Sequence, residues 1–374
     1  MQLVFDAEQE ELRRSVRRFC DNEMTSETVR ALMDTRDAHD PARWKRMAEQ
    51  LGLQGLVIPE EHGGSGATFV ELAVVQEEFG RAIFPGPFLS TLFATCAILD
   101  AGDEEAGKDL LPGIADGSTI ATVAATEPDG RWDLAATSTT ARADGQGFAR
   151  EFALHGTKAY VPDGALADLL LVVARSDAGL SLFAVDPTAA GVTRTAVNTL
   201  DQTRPMATVE LDGAAGRLVG TDGGAGASMA RTLEKVAVLI ALEQVGGAQR
   251  ALDMAVEYAK QRRQFGRFIG SFQAIKHKAA NVMLRVESAR AAAYYAAWAV
   301  AGGSDEVPAV ASLAKAYCSD AYFFAATENI QIHGGIGFTW EHDAHLHLKR
   351  AEASKLWLGD PTFHRAKLAD AVGV

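Results

Sequence analysis

The order of hydrophobic periodicities along this chain limits its fold more than any other feature. Apolar residues recur at helical spacing first, then in short strand-like runs, then at helical spacing again to the end. In residues 1–117, the charged stretch Ala7 to Phe19 carries its apolar positions at helical spacing, and a second helix from Ala42 to Leu51 stops at Gly52. Glycines punctuate a loop from Glu60 to Gly66, and Pro85-Gly86-Pro87 separates a helix at Phe69 to Phe79 from one at Phe88 to Leu99. In residues 118–225, the runs Thr119 to Ala124, Leu169 to Ala174 and Leu180 to Val185, with the alternating Met206 to Leu211, predict a compact β domain. Residues 226–374 are Ala-rich. Ser228 to Gln261 lacks proline, with Gly246-Gly247 its visible weak point, and helices follow over Phe272 to Val300 and Val310 to Gln331. Long apolar-striped helices with short connections predict an antiparallel bundle. This order disfavours Rossmann and TIM folds, which alternate β and α. No GxGxxG or P-loop pattern follows a strand.

Charge and cysteine usage narrow the function classes. Lys plus Arg is 36 and Asp plus Glu is 49, a formal charge of −13, which argues against a nucleic-acid partner. Cys20, Cys96 and Cys318 are far apart, so neither a disulfide framework nor a metal site is expected. Acids appear by position 6, so no secretory signal is expected. Apolar runs such as Val236 to Leu242 fall short of the roughly 18–20 residues of a membrane span. A reducing, cytoplasmic setting is the expectation.

Two segments of the last zone carry chemistry. One is Tyr258-Ala259-Lys260-Gln261-Arg262-Arg263-Gln264-Phe265-Gly266-Arg267, followed by Ile269 to His277; the other runs from Gln331-Ile332-His333-Gly334-Gly335 to His342. An arginine at a helix end suits a pyrophosphate, because its contacts are bidentate and always charged. Glycines after Gln331 let backbone approach a ligand. Singly, Arg262 is equally a helix C-terminal residue favoured by the macrodipole, and the glycines are equally a C-cap and turn. Together with the helix–β–helix order, the two segments resemble the acyl-CoA dehydrogenase family over essentially the whole chain.

The resemblance implies an α+β fold: an N-terminal helical domain, a middle β-barrel or sandwich domain, and a C-terminal four-helix bundle. It implies FAD as cofactor, an acyl-CoA substrate drawn from fatty acid or steroid side-chain oxidation, and electron-transfer flavoprotein as acceptor. Arg262, Phe265, Gln331 and Gly335 then contact the pyrophosphate and adenine half of an FAD held mainly by a neighbouring subunit. That implies an oligomer, commonly a tetramer built as a dimer of dimers. Ala125-Thr126-Glu127-Pro128 resembles the flavin-edge loop, with Thr126 near the pyrimidine side, and Gly156 to Pro162 resembles the segment that packs on the flavin. Tyr160 falls where the family often has Trp, and Pro162 where it often has Ser or Thr. The family's Gly-rich continuation is replaced by Asp129-Gly130-Arg131-Trp132-Asp133.

The base of this reaction removes a proton α to the thioester, which suits a carboxylate in an apolar site. At the usual position in Leu356-Trp357-Leu358-Gly359-Asp360 stands Leu358, and the alternative helix position matches Val236. Glu243 lies seven residues past Val236, near the same helix face, behind the apolar run Val236 to Leu242. It is the candidate general base, and some steroid-type members share its Glu-Gln-Val-Gly-Gly-Ala run. Leu358 keeps a backbone N–H that can hold the thioester carbonyl. The blander role for Glu243 is a surface position or an arginine pair. A buried, uncompensated Glu243 favours a self-sufficient dehydrogenase. An exposed or ion-paired one favours a silent subunit completing the FAD site of a homologous chain. An oxidase, with oxygen as acceptor, is a third reading. Glu341, His342 and Asp343 read as loop and subunit contacts, His345 and His347 have poor metal spacing, Lys276-His277-Lys278 reads as a solvated face, and Arg204 reads as structural. Gly246-Gly247 either widens the acyl pocket or serves helix packing.

Overall fold

A computed structural model describes residues 5–143 and 150–374. Among the described residues the first zone holds six α-helices: α1 (Ala7–Glu23), α2 (Ser26–Met33), α3 (Pro41–Leu51), α4 (Phe69–Arg81), α5 (Phe88–Ala101) and α6 (Glu104–Ala115). Local chemistry sets their ends. The Asp6 side chain accepts from the Gln9 N–H at 2.8 Å while the Gln9 side chain accepts from the Asp6 N–H, a reciprocal cap on α1. Asp40 caps α3 ahead of Pro41, and Gly52 ends it at φ 61°. Helix α5 is buried from Phe88 to Ile98, as a helix apolar on every face must be.

The middle zone holds β1 (Ala121–Ala124), β2 (Thr140–Ala143), β3 (Glu151–Pro162), β4 (Leu169–Ser176), β5 (Gly179–Val185), β6 (Val192–Val197) and β7 (Met206–Val219). The sheet runs β1-β4-β2-β3-β7-β5, and β5 pairs back onto β4, so the strands close on themselves with β6 added to β7. Closure removes most open edges. Leu154, Leu170, Val172, Phe183, Val185 and Val209 fill the interior. Register slips between Lys158 and Val161 in the β3–β7 ladder, and Tyr160 inside that bulge has φ 55°.

The last zone begins with α7 (Ala225–Gln261), which runs unbroken through Gly246-Gly247. A hairpin of β8 (Arg263–Gln264) and β9 (Arg267–Phe268) follows, then α8 (Gln273–Ala301), α9 (Val307–His333), α10 (Ala344–Leu356) and α11 (Pro361–Val372). Ala248, Ala251, Val282, Val286, Tyr322, Ala325, Ala326 and Ala351 form a core shared by α7, α8, α9 and α10. Small side chains there let helix backbones approach closely.

Two compact units cut across these zones. One gathers the chain up to Arg30, Phe69–Phe84 and Ala237–Val374; the other gathers Ala31–Thr68 and Pro85–Val236. Among the described residues no helix is long and apolar enough to cross a membrane.

Candidate functional site

Glu243 is 3% exposed, and Val236 to Leu242 ahead of it are essentially fully buried. It is not uncompensated. The Arg350 guanidinium, on α10 and itself 1% exposed, donates to Glu243 Oε1 at 3.0 Å. Arg350 also reaches the Phe84 carbonyl at 3.4 Å. A guanidinium at this range stabilises the anionic carboxylate, the reverse of what a proton-abstracting base in an apolar pocket requires. The arginine-paired alternative is the arrangement found.

Leu358 is buried, with φ 61°, and Gly359 follows with φ 103°. The Leu358 N–H finds no acceptor among the described residues. Its carbonyl accepts from His364 Nε2 at 3.0 Å. Lys315 on α9, fully buried, donates to the Gly359 carbonyl at 3.2 Å, the Lys355 carbonyl at 3.1 Å and Ser319 Oγ at 3.1 Å. Burial pushes its pKa down to about 7. Gln244 joins the network through Ser319 and Ser354, at 3.0 and 3.2 Å. Asp360, the carboxylate next in sequence to this turn, is engaged as the N-cap of α11, accepting from the Phe363 N–H at 2.8 Å.

In the β domain, Thr126 is buried, and its hydroxyl donates to the Ala159 carbonyl at 2.6 Å while the Ala159 N–H returns to the Thr126 carbonyl at 3.0 Å. Lys158, fully buried, donates to the Ala125 carbonyl at 3.2 Å and to Glu127 at 3.0 Å. Glu127 also accepts from the N–H and hydroxyl groups of Ser138 and Thr139. Burial alone would raise this carboxyl, but those four donors outweigh it and hold it far below the usual range. The loop is thus clamped onto the β3 bulge, where Tyr160 is half-exposed in a left-handed conformation. A left-handed φ is costly for a bulky residue other than glycine, and the clamped loop holds it there. Pro162 ends the strand, its carbonyl accepting from Thr122 Oγ1 at 2.6 Å.

The remaining expected residues lie at the surface. Arg262 follows α7 directly and is exposed; its guanidinium has no hydrogen bond or ion pair among the described residues. Phe265 is 93% exposed with φ 53°, and Gln331 and Gly335 are exposed at the end of α9. Apart from its neighbours along the chain, no described residue comes within 4 Å of a Cβ built on Gly335. Unengaged donors, an exposed ring and open glycine backbone are the features that an anionic, planar cofactor would use.

Gly246 and Gly247 do not line a widened pocket. A Cβ on Gly246 would stand 1.8 Å from the Glu77 carbonyl of α4, and one on Gly247 would stand 2.4 Å from the Tyr322 ring, so the pair serves helix packing. His345 and His347 are engaged with the Trp340 carbonyl and the Tyr322 hydroxyl, and no metal-ligating cluster occurs among the described residues. Lys278 pairs with Glu328, and Arg204 is buried. Sequence reading missed Arg350, Lys315 and His364. Apart from Ser319, four residues after Lys315, their partners are a residue far along the chain or backbone carbonyls, which leave no spacing to read.

Three domain models cover the chain: acyl-CoA dehydrogenase N-terminal domain over residues 6–118, middle domain over 122–213 and C-terminal domain over 222–373. Acyl-CoA dehydrogenase IpdE2 of Mycolicibacterium smegmatis is 36% identical over 354 residues, covering 95% of each chain. Among solved structures, the steroid ACAD Tcur3481-Tcur3483 matches with TM-score 0.89 at 32% identity, covering 98% of both chains. The ChsE4-ChsE5 complex from Mycobacterium tuberculosis matches with TM-score 0.90 at 27% identity, covering 100% of this chain and 99% of that one.

Proposed function

The chain belongs to the acyl-CoA dehydrogenase family of flavin-dependent oxidoreductases, and from that premise we propose that it serves as one subunit of a heteromeric acyl-CoA dehydrogenase, completing the FAD site of a homologous chain. One observation carries this reading: the candidate base Glu243 is held in a buried ion pair with Arg350, while the usual base position is Leu358. Two of the similar solved structures bear paired names, Tcur3481-Tcur3483 and the ChsE4-ChsE5 complex. The acyl group follows the same kinship, a steroid side-chain thioester, with electrons leaving to electron-transfer flavoprotein. Three buried free cysteines fit a reducing, cytoplasmic setting.

Bound FAD supplies the hydride acceptor for α,β-dehydrogenation. This chain's own part is to bind and orient. Arg262 meets pyrophosphate oxygens with a fork of N–H donors, Phe265 covers an aromatic face, and Gln331 and the Gly335 backbone offer short polar contacts. Thr126 and Tyr160, on the clamped β3 edge, are the positions this chain would offer to a flavin ring of its own.

The unengaged Leu358 N–H favours a second reading, a self-sufficient dehydrogenase that holds the thioester carbonyl there and uses Glu243 as base. The visible spectrum of the chain purified alone separates the two. Little flavin, restored to stoichiometric amounts by co-expression with a co-purifying homologue, is the expected result. Full flavin absorbance, bleached by an acyl-CoA in wild type but not in Glu243→Gln, would replace the heteromeric reading with the second. Turnover of straight short-chain thioesters and none of steroid thioesters by the assembly would sink the substrate assignment.

A further inference from the structure

We infer that the stacked rings of Tyr258 and His333 are positioning residues that set the spacing between the two cofactor-completing segments. Tyr258 lies one turn before Arg262, and the Arg262 N–H donates to its carbonyl at 2.8 Å. His333 lies two residues after Gln331 and two before Gly335. Their rings stack with centroids 4.3 Å apart at 27°, and the His342 ring lies 4.4 Å from that of His333. The stack therefore bolts the end of α7 to the end of α9, the two places from which the contacts to a neighbour's FAD would arise.

His333 is held by several neighbours. His333 is 5% exposed, and its Nδ1 lies 2.8 Å from the Asn329 carbonyl. A carbonyl only accepts, so Nδ1 carries the proton and the ring orientation is fixed. A Cβ on Gly337 would stand 2.8 Å from His333 Cβ, so the glycine turn packs directly on this residue. On the other side, the Ile269 N–H donates to the Arg262 carbonyl at 2.8 Å, closing the hairpin base. Ile269 and Ile332 share an apolar cluster with Tyr258, Phe272 and Ile275. The proposed cofactor contacts come from Arg262 and Phe265, not from these two rings. Their work is to hold the two segments in one geometry, and small displacements of contact groups are expensive in binding.

This inference rests on the proposed cofactor role of Arg262 and Gln331, and the test separates the two. FAD affinity is measured by fluorescence titration in whichever assembly retains flavin, the chain alone or the two-subunit complex, with the thermal midpoint of the apoprotein alongside. His333→Ala is expected to weaken FAD binding on the order of tenfold, with apoprotein stability kept, and His333→Phe to restore it by keeping a stackable plane. If His333→Ala fails to assemble, Tyr258→Leu carries the same test, because leucine keeps an apolar side chain in the cluster while removing the stackable ring. Wild-type affinity in the His333→Ala or Tyr258→Leu protein, with Arg262→Ala losing FAD, overturns the positioning role alone. Failure of His333→Phe to restore binding also overturns it. Wild-type affinity in Arg262→Ala overturns the cofactor reading and the inference with it.

Discussion

Glu243 and Arg350 are both enclosed by protein, so neither charge has bulk water to fall back on. Each is tolerable because the other is there, and the Phe84 carbonyl takes up a further guanidinium N–H. Removing one partner leaves a buried charge. Arg350→Met is expected to destabilise by about 3–5 kcal/mol, whereas Glu243→Leu combined with Arg350→Met should recover most of that loss. Chemical denaturation of the two single variants and the double variant measures the coupling. A loss below about 1 kcal/mol in Arg350→Met would mean that the pair resembles a surface bridge and does not constrain Glu243. Lys315 shows the same logic with backbone in place of a counter-charge. Its contacts with the Lys355 and Gly359 carbonyls tie α9 to the turn that carries Leu358.

At the level of elements, the β3 bulge and the loop opposite it behave as one piece. Lys158 and Glu127 join them, and Ser138 and Thr139 anchor the carboxylate from a third segment. The Glu127 carboxyl is depressed from its ordinary 4.5. A carboxyl depressed in the folded state adds stability that is complete above its unfolded pKa and is lost as pH falls through the folded value. The wild-type protein should therefore lose stability as the pH drops below about 4.5, and Glu127→Gln should flatten that part of the profile while lowering stability at neutral pH. Thermal midpoints across this range check both halves. Parallel acid profiles in the two proteins would show that the clamp does not depend on the charge.

For the molecule as a whole, large apolar residues are exposed at many places, and some of them fall on the two candidate cofactor segments. Phe265, Ile336, Phe338 and Trp340, with exposures of 93%, 48%, 79% and 53%, lie on the two segments joined by the Tyr258–His333 stack. These four are the proposed contribution of this region to a contact between subunits. A chain with formal charge −13 resists nonspecific association, so a specific interface has to supply the attraction. Replacing Phe338 by Asp should shift the assembly toward smaller species in sedimentation velocity without lowering the unfolding midpoint. An unchanged sedimentation coefficient would place the interface elsewhere.

The sequence by itself determined the kinds of element, their order and many of their ends. The helix at Ala42 to Leu51 stops at Gly52, the break at Pro85-Gly86-Pro87 precedes α5, and the runs at Leu169 and Leu180 are β4 and β5. These follow from local chemistry: side-chain period, caps and glycine conformations act within a few residues. The segments around Arg262 and Gln331 were legible for the same reason, since each is a continuous run. Helices α2, α6, α10 and α11 carried weaker patterns and emerged only in the fold. What tertiary structure alone decided is pairing. Nothing near Glu243 in sequence indicates that Arg350, on another helix, closes on it, or that Gly246 and Gly247 face Glu77 and Tyr322. A carboxylate behind an apolar run reads as a base until its neighbour across the bundle is known, because proton affinity depends on through-space charge, and the chain sets that distance only when it folds.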